Sequence, residues 1–315
     1  MEYYNKTVKI LSEKYNKEYM QYHNLINENR DFLEKLKGKL NQDIHFYRTS
    51  KLSNKSQKLS QIVKNVEEFY NNFDSEINEN VKKVLRHEGQ YRVIPMVHTG
   101  GTSRCQLDKT IFVSINGNCL DSINYIHELM HGIGQRIKLS KRPIDDSIGE
   151  IEGMFIDKIS QAYFNKNGCL SDNDYDFLKK DRINRLKKNI SNILEENEVV
   201  NIANFSFKEI DLIKIQRKIF NSPNGEILLD RYWNMCKEDY PTGRYHFRYV
   251  VGEIVAEQLY DQYLINPEKT LKKFKNFLSK NAEITLSDAT QILLNKSPIE
   301  VMNDYLSKFE ENENE

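Results

Sequence analysis

The densest chemical signal in the chain is five residues long: His127-Glu128-Leu129-Met130-His131, which reads H-E-x-x-H. On a helix, residues four apart share a face, so His127 and His131 can present two imidazoles to one ion. Glu128 follows the first histidine, and its carboxylate can reach a water held by that ion. Two imidazoles beside a carboxylate are the arrangement of zinc-assisted amide hydrolysis, with the carboxylate as general base. Such a site also needs a helix to carry it, a third ligand, a strand beside the ion and a donor for the developing oxyanion.

The flanking sequence offers each of these. Tyr91–Val97 reads as extended and Gly100-Gly101-Thr102-Ser103 as a turn, followed by a β-branched and aromatic strand, Thr110–Ile115. Asn116-Gly117-Asn118 breaks it, and Asp121 or Ser122 can cap the motif helix. This order makes Thr110–Ile115 the candidate edge strand for a substrate backbone, through Phe112, Val113 and Ser114. An inner strand fits the same pattern equally well. The motif helix is expected to run through Gly132-Ile133-Gly134 towards Lys138. After a loop containing Pro143, Ser147 can cap a helix over Ile148–Ile159. That helix offers Glu150 and Glu152 as the third ligand, and helical spacing does not choose between them. Two histidines and one glutamate leave a position open for water. Asp157, two turns after Glu150, can orient a histidine ligand. His98 lies in the loop before the strand, and His23, His45 and His87 read as surface residues.

The rest of the chain reads as helical support. It has 315 residues, 39% hydrophobic and 29% charged, with Lys+Arg and Asp+Glu both 46. A zero net charge without long basic runs argues against a nucleic-acid surface. Only 13 Gly and 6 Pro punctuate the chain, which favours long helices. Cys105, Cys119, Cys169 and Cys236 form no C-x-x-C and read as free thiols. The polar N-terminus leads into no apolar segment, and no stretch is apolar enough to span a bilayer. The expected location is therefore cytoplasmic, or outside the cell by a route needing no N-terminal signal. Helical patterns mark Val8–Tyr19, Leu25–Leu36 and Leu59–Tyr70, then a polar joint at Asn71–Asn80 and a helix over Val81–Arg86. Further helices are expected around Leu178–Leu194, Phe205–Phe220, Ile227–Tyr232, Arg244–Leu264, Leu271–Leu278, Leu286–Leu294 and Pro298–Phe309. Residues 1–90 are read as a helical region packed on the core, and 91–315 as one continuous catalytic region.

Residues Gly100–Ile133 and Ser147–Asp157 resemble the two zinc-binding segments of the thimet oligopeptidase/oligoendopeptidase F metallopeptidases. In the oligoendopeptidase F branch the second segment has a Glu, a small residue at +3, Phe at +5 and an acid at +7. Glu150, Gly153, Phe155 and Asp157 fit that register, which favours Glu150 over Glu152 as ligand. Tyr245–Gly252 looks like the family's aromatic helix over the site, and Ser297-Pro298-Ile299-Glu300 is similar to its C-terminal part. The resemblance covers roughly residues 91–310. It implies a mainly α fold with a small antiparallel or mixed sheet and a zincin (gluzincin) core holding one Zn2+. It also implies Tyr245 and Tyr249 as oxyanion donors, with His246 on another side of that helix as a substrate contact. The chain departs from the family in three ways: a shorter loop between His131 and Glu150, Asp239 or Tyr240 near the place of a family histidine, and about half the usual length.

Three functions fit. The first is a zinc metalloendopeptidase acting on peptides or exposed protein segments. The second is an exported effector or toxin protease with one protein target. The third is a non-catalytic binding module that keeps the metal for structure. The intact Glu128 argues against the third, because a structural site has no use for a general base.

Overall fold

A computed structural model describes residues 25–40, 57–97, 103–141, 144–203, 217–229, 231 and 242–311. The helix expected over Val8–Tyr19, His23, His45, His98, Cys236, the glycines at 100–101, most of the helix expected at 205–220 and Asp239–Pro241 lie outside them. The chain is mainly helical with one small mixed sheet, as the sequence led us to expect. It divides into two compact units, residues 1–45 with 183–250 and residues 46–182 with 251–315.

The second unit contains the H-E-x-x-H helix, α4 (Cys119–Ile133). Twelve of its 15 residues are buried, so it is covered on nearly every side. Two preceding helices, α2 (Leu59–Phe73) and α3 (Ser75–Leu85), pack against it. They bury Ile62, Val66, Phe69, Tyr70, Ile77, Val81 and Val84, the apolar stripe the spacing predicts. The polar joint between them narrows to Asp74, whose carboxylate accepts the Ile77 N–H at 3.0 Å and starts α3. Two tyrosine hydroxyls also pin α4: Tyr70 donates to the Ile126 carbonyl and Tyr91 to that of Gly132, both at 2.8 Å.

The sheet has strand order β1-β3-β2, with β1 (Arg92–Val97), β2 (Arg104–Cys105) and β3 (Thr110–Ile115). β1 runs parallel to β3 along its whole length, and β2 pairs with it antiparallel at Phe112 and Ile111. Thr110–Ile115 is therefore the central strand, which corrects its reading as an edge. Five of its six residues are buried, including Val113 and Ser114. Phe112 is half-buried under the Arg104 guanidinium. A near-continuous apolar run is how a strand covered on both faces reads. The outer edges belong to β1, whose Pro95 suits an edge, and to β2.

Asn118, rather than Asp121 or Ser122, caps α4; Asp121 is its reciprocal partner in a capping box. The buried Asp121 carboxylate also takes the backbone N–H groups of Asn116, Gly117 and Asn118 at 2.6–3.0 Å. The helix stops at Gly134, which is extended (φ −65°, ψ 152°), instead of running on to Lys138. A short turn of helix, α5 (Gln135–Lys138), follows in a new direction. A Cβ on Gly134 would lie 2.7 Å from Asn281 Nδ2, so the break is also a point of close approach.

After a 3-10 turn at Asp146–Ile148, helix α6 (Ile151–Lys166) packs against α4. Asp145 caps that turn by accepting from Ser147, and Glu150 sits at the N-cap of α6. The 32-residue α7 (Asp172–Ala203) and α8 (Thr242–Ile265) follow. α9 (Pro267–Leu278), α10 (Leu286–Leu294) and α11 (Pro298–Glu311) complete the chain, close to the bounds expected from sequence. In the first unit, α1 (Arg30–Leu40) buries Leu33, Leu36 and Leu40, and Arg30 pairs with Glu198. No helix among the described residues is long and apolar enough to cross a membrane.

Candidate metal centre

The one-face geometry of the motif brings His127 Nε2 and His131 Nε2 to 3.0 Å from each other. The start of α6 brings Glu150 Oε2 to 3.5 Å from both. These three side chains are the His/Cys/Asp/Glu group among the described residues whose ligand atoms converge closely enough to hold a metal ion. A tetrahedral ion with bonds of about 2.0–2.1 Å keeps its ligands roughly 3.3 Å apart. A triangle with sides of 3.0, 3.5 and 3.5 Å therefore accommodates such an ion equidistant from all three atoms. Two nitrogens and one carboxylate oxygen also form a donor set that suits zinc.

Each histidine is held from behind by a carboxylate. His127 Nδ1 lies 3.0 Å from Asp157 Oδ2 and His131 Nδ1 3.1 Å from Glu152 Oε1. A ring that offers its Nε2 lone pair to a metal carries its proton on Nδ1, and the carboxylate fixes that tautomer. Glu152 thus lies on the far side of the His131 ring, and Glu150 is the acid beside both Nε2 atoms. Arg136 Nη2 approaches both Glu152 Oε1, at 2.9 Å, and His131 Nδ1, at 2.7 Å. Two donors cannot satisfy one another, so Glu152 is the acceptor that holds them both. Asn281 Nδ2 adds a long contact to the same oxygen, at 3.5 Å.

The charges follow this arrangement. Burial pushes the His127 pKa down, but Asp157, with Glu150 and Glu128, holds the ring well above the ordinary 6.5. Burial likewise opposes the charged His131 ring, which Glu150 and Glu152 nevertheless raise. Burial raises Glu128, against the pull of the two histidines, and its Oε2 is enclosed without a hydrogen-bond partner. Burial would also raise Glu152, but Arg136 and the His131 ring together keep the carboxyl low.

Two glycines let these groups approach. A Cβ on Gly153 would fall 2.4–2.8 Å from three atoms of the His127 ring. One on Gly252 would meet Glu150 Cβ and Met154 Sδ at 2.9 Å. Gly153→Ala is therefore expected to displace His127, at a cost of about 1–3 kcal/mol. The loss should appear as roughly 10- to 100-fold weaker metal binding in competition with a chelator. Unchanged affinity would show that the ring has room to move.

The other site residues expected from sequence lie as follows. Phe112, Val113 and Ser114 are on the central strand. The edge strand that packs on the motif helix is β2, whose half-buried Cys105 thiol is raised by desolvation and then by the nearby charge of Glu128. His246, in the first unit, lies between Asn189 and Asn192, 3.0 Å from each, and burial pushes its pKa down to about 4. Tyr249 is in the same unit, beside the Arg248 guanidinium. The Tyr245 side chain lies outside the described residues. The oxyanion role of the two tyrosines is carried by the sequence resemblance alone. Sequence reasoning missed Arg136, which follows the motif by five residues but would face away on an unbroken helix, and Asn281, whose neighbours in the chain give no hint of a site.

No protein-family model and no curated protein sequence matches the chain. Its fold is similar to a crystal structure described as "a putative oligoendopeptidase F from Bacillus anthracis str. Ames", with a TM-score of 0.56 and 13% identity. That match covers 92% of this chain and 55% of the other. A structure described as a "putative peptidase from Chlamydophila abortus" matches with a TM-score of 0.48 and 16% identity, over 92% of this chain and 54% of the other. The chain thus spans about half the length of these proteins.

Proposed function

We propose that the protein is a zinc-dependent metalloendopeptidase acting on peptides or exposed protein segments. The observation that carries this reading is the convergence of His127 Nε2, His131 Nε2 and Glu150 Oε2 next to the enclosed carboxylate of Glu128. The likeness of the fold to a solved oligoendopeptidase-like structure supports it. His127, His131 and Glu150 would hold the ion, with Asp157 and Glu152 keeping both rings in the ligating tautomer. When bound, zinc lowers the pKa of its water towards ~7 and polarises the scissile carbonyl. Glu128 takes the water proton and passes it to the leaving amine, a transfer that suits a carboxylate raised by burial.

The test is metal content together with activity. The purified protein should hold one equivalent of zinc, lose hydrolysis of unstructured peptides on chelation and regain it with Zn2+. Affinity should also fall on acidification. In the metal-free protein both histidine pKa values are raised above 6.5. Their charged forms thus contribute stability that is complete below that value and lost as pH rises through the folded pKa values. Metal needs neutral rings, so binding releases protons and weakens as pH falls. Peptide cleavage that survives complete chelation, or a protein that takes up no metal, would reject the reading.

A further inference from the structure

The two ligating histidines are backed unequally. His127 rests on Asp157, whose side chain retains 22% of its exposure. His131 rests on Glu152, which is completely buried and is itself gripped by Arg136 and Asn281. Arg136 and Asn281 are in turn joined, since the Arg136 backbone N–H donates to Asn281 Oδ1 at 3.2 Å.

Arg136 can take part only because the motif helix breaks. On an unbroken helix, a residue five after His131 would point about 140° away from it around the axis. The extended Gly134 turns the chain, and α5 returns the guanidinium to the Nδ1 side of the ring. The turn is closed by Asn281, whose Nδ2 would lie only 2.7 Å from a Cβ on Gly134.

We infer that Arg136, Glu152 and Asn281 form one charge-balanced anchor that positions His131 for metal binding, with Arg136 and Asn281 as positioning residues. Glu152 Oε1 lies 2.9 Å from Arg136 Nη2 and 3.1 Å from His131 Nδ1, so one buried oxygen ties the guanidinium to the ring and fixes the direction from which the ring is held. Asn281 adds a neutral donor and locks the Gly134 turn. The Gly134 break thus serves the metal site rather than merely ending a helix. The inference rests on the metal reading above.

The test is Co2+ binding, measured by chelator competition and by the visible spectrum of the bound ion, on folded wild type and variants. Glu152→Gln and Arg136→Met should each bind Co2+ roughly 10- to 100-fold more weakly, the usual effect of losing a group that orients a ligand. Each should also shift the visible bands. The double variant should lose no more than the weaker single one, because the two residues act as a unit. Arg136→Lys, which keeps the charge without the fork, should recover part of the affinity. Asn281→Ala should fall between wild type and Arg136→Met, and these two milder variants decide the matter if Arg136→Met does not fold. Wild-type affinity and spectrum in the folded variants would overturn the anchor while leaving the metal reading intact. Absence of Co2+ binding by wild type would overturn both.

Discussion

Glu128→Gln should reduce peptide hydrolysis by roughly 10²- to 10⁴-fold, the usual contribution of a positioned general base. It should leave one metal ion bound. The substitution keeps the shape of the side chain and the packing of α4, and it touches none of the three converging ligand atoms. It removes the proton acceptor and its negative charge. Burial opposes the charged form of Glu128 while the two histidines favour it, so a neutral amide of the same shape should leave Tm close to the wild-type value. Metal content, peptide turnover and Tm measured on one preparation give the decisive combination: metal kept, stability kept and turnover lost. Equal turnover in the two proteins would remove Glu128 from the chemistry.

Lys158→Met should produce the largest loss of stability, on the order of 3–5 kcal/mol for a buried ion pair left without one partner. Lys158 follows Asp157 on α6 and is only 1% exposed. Its ammonium lies 2.6 Å from Glu253 and 2.5 Å from Glu257, one turn apart on α8. Arg182, 3.9 Å from Glu253, also bonds to Gln161 on α6. This cluster joins α6 to α8 close to where Gly252 presses on Glu150 and Met154. Removing the ammonium leaves two carboxylates facing each other, with the more distant Arg182 and Lys308 to offset them. Burial would raise the Glu257 pKa, but Lys158, helped by Arg182 and Lys308, holds the carboxyl below the ordinary 4.5. That depressed value contributes stability above pH ~4.5, which is lost as pH falls through the folded pKa. Wild type and variant should therefore differ most at neutral pH and converge in acid. Urea unfolding at pH 7 and pH 4 checks both points. A neutral-pH difference below about 1 kcal/mol would show that the cluster adds little to stability.

How much could be read in advance depended on the distance over which each feature is set. The facing of His127 and His131 is a property of one helix, and four residues of spacing are enough to predict it. The same holds for the apolar stripes of α2, α3 and α9 and for the break at Asn116–Asn118, whereas the capping side chains themselves, Asn118 and Asp74, were not singled out in advance. Strand β3 was legible as a strand. Its place in the sheet was not, because that depends on which segments pair with it, even though its near-continuous apolar run fits an inner position.

The sequence by itself determined a motif helix with two imidazoles and a carboxylate on it, and a later segment bearing two acids. Tertiary structure decided how those acids divide. Glu150 and Glu152 are two residues apart, so their side chains diverge, and the docking of α6 on α4 turns one to the Nε2 atoms and the other to Nδ1. That docking depends on Gly153 under the His127 ring, on Gly252 under Glu150 and on the Lys158 cluster. The turn at Gly134 then brings Arg136 behind Glu152. These contacts join residues far apart in the chain, and close packing between helices, rather than the geometry within any one of them, selects the partners.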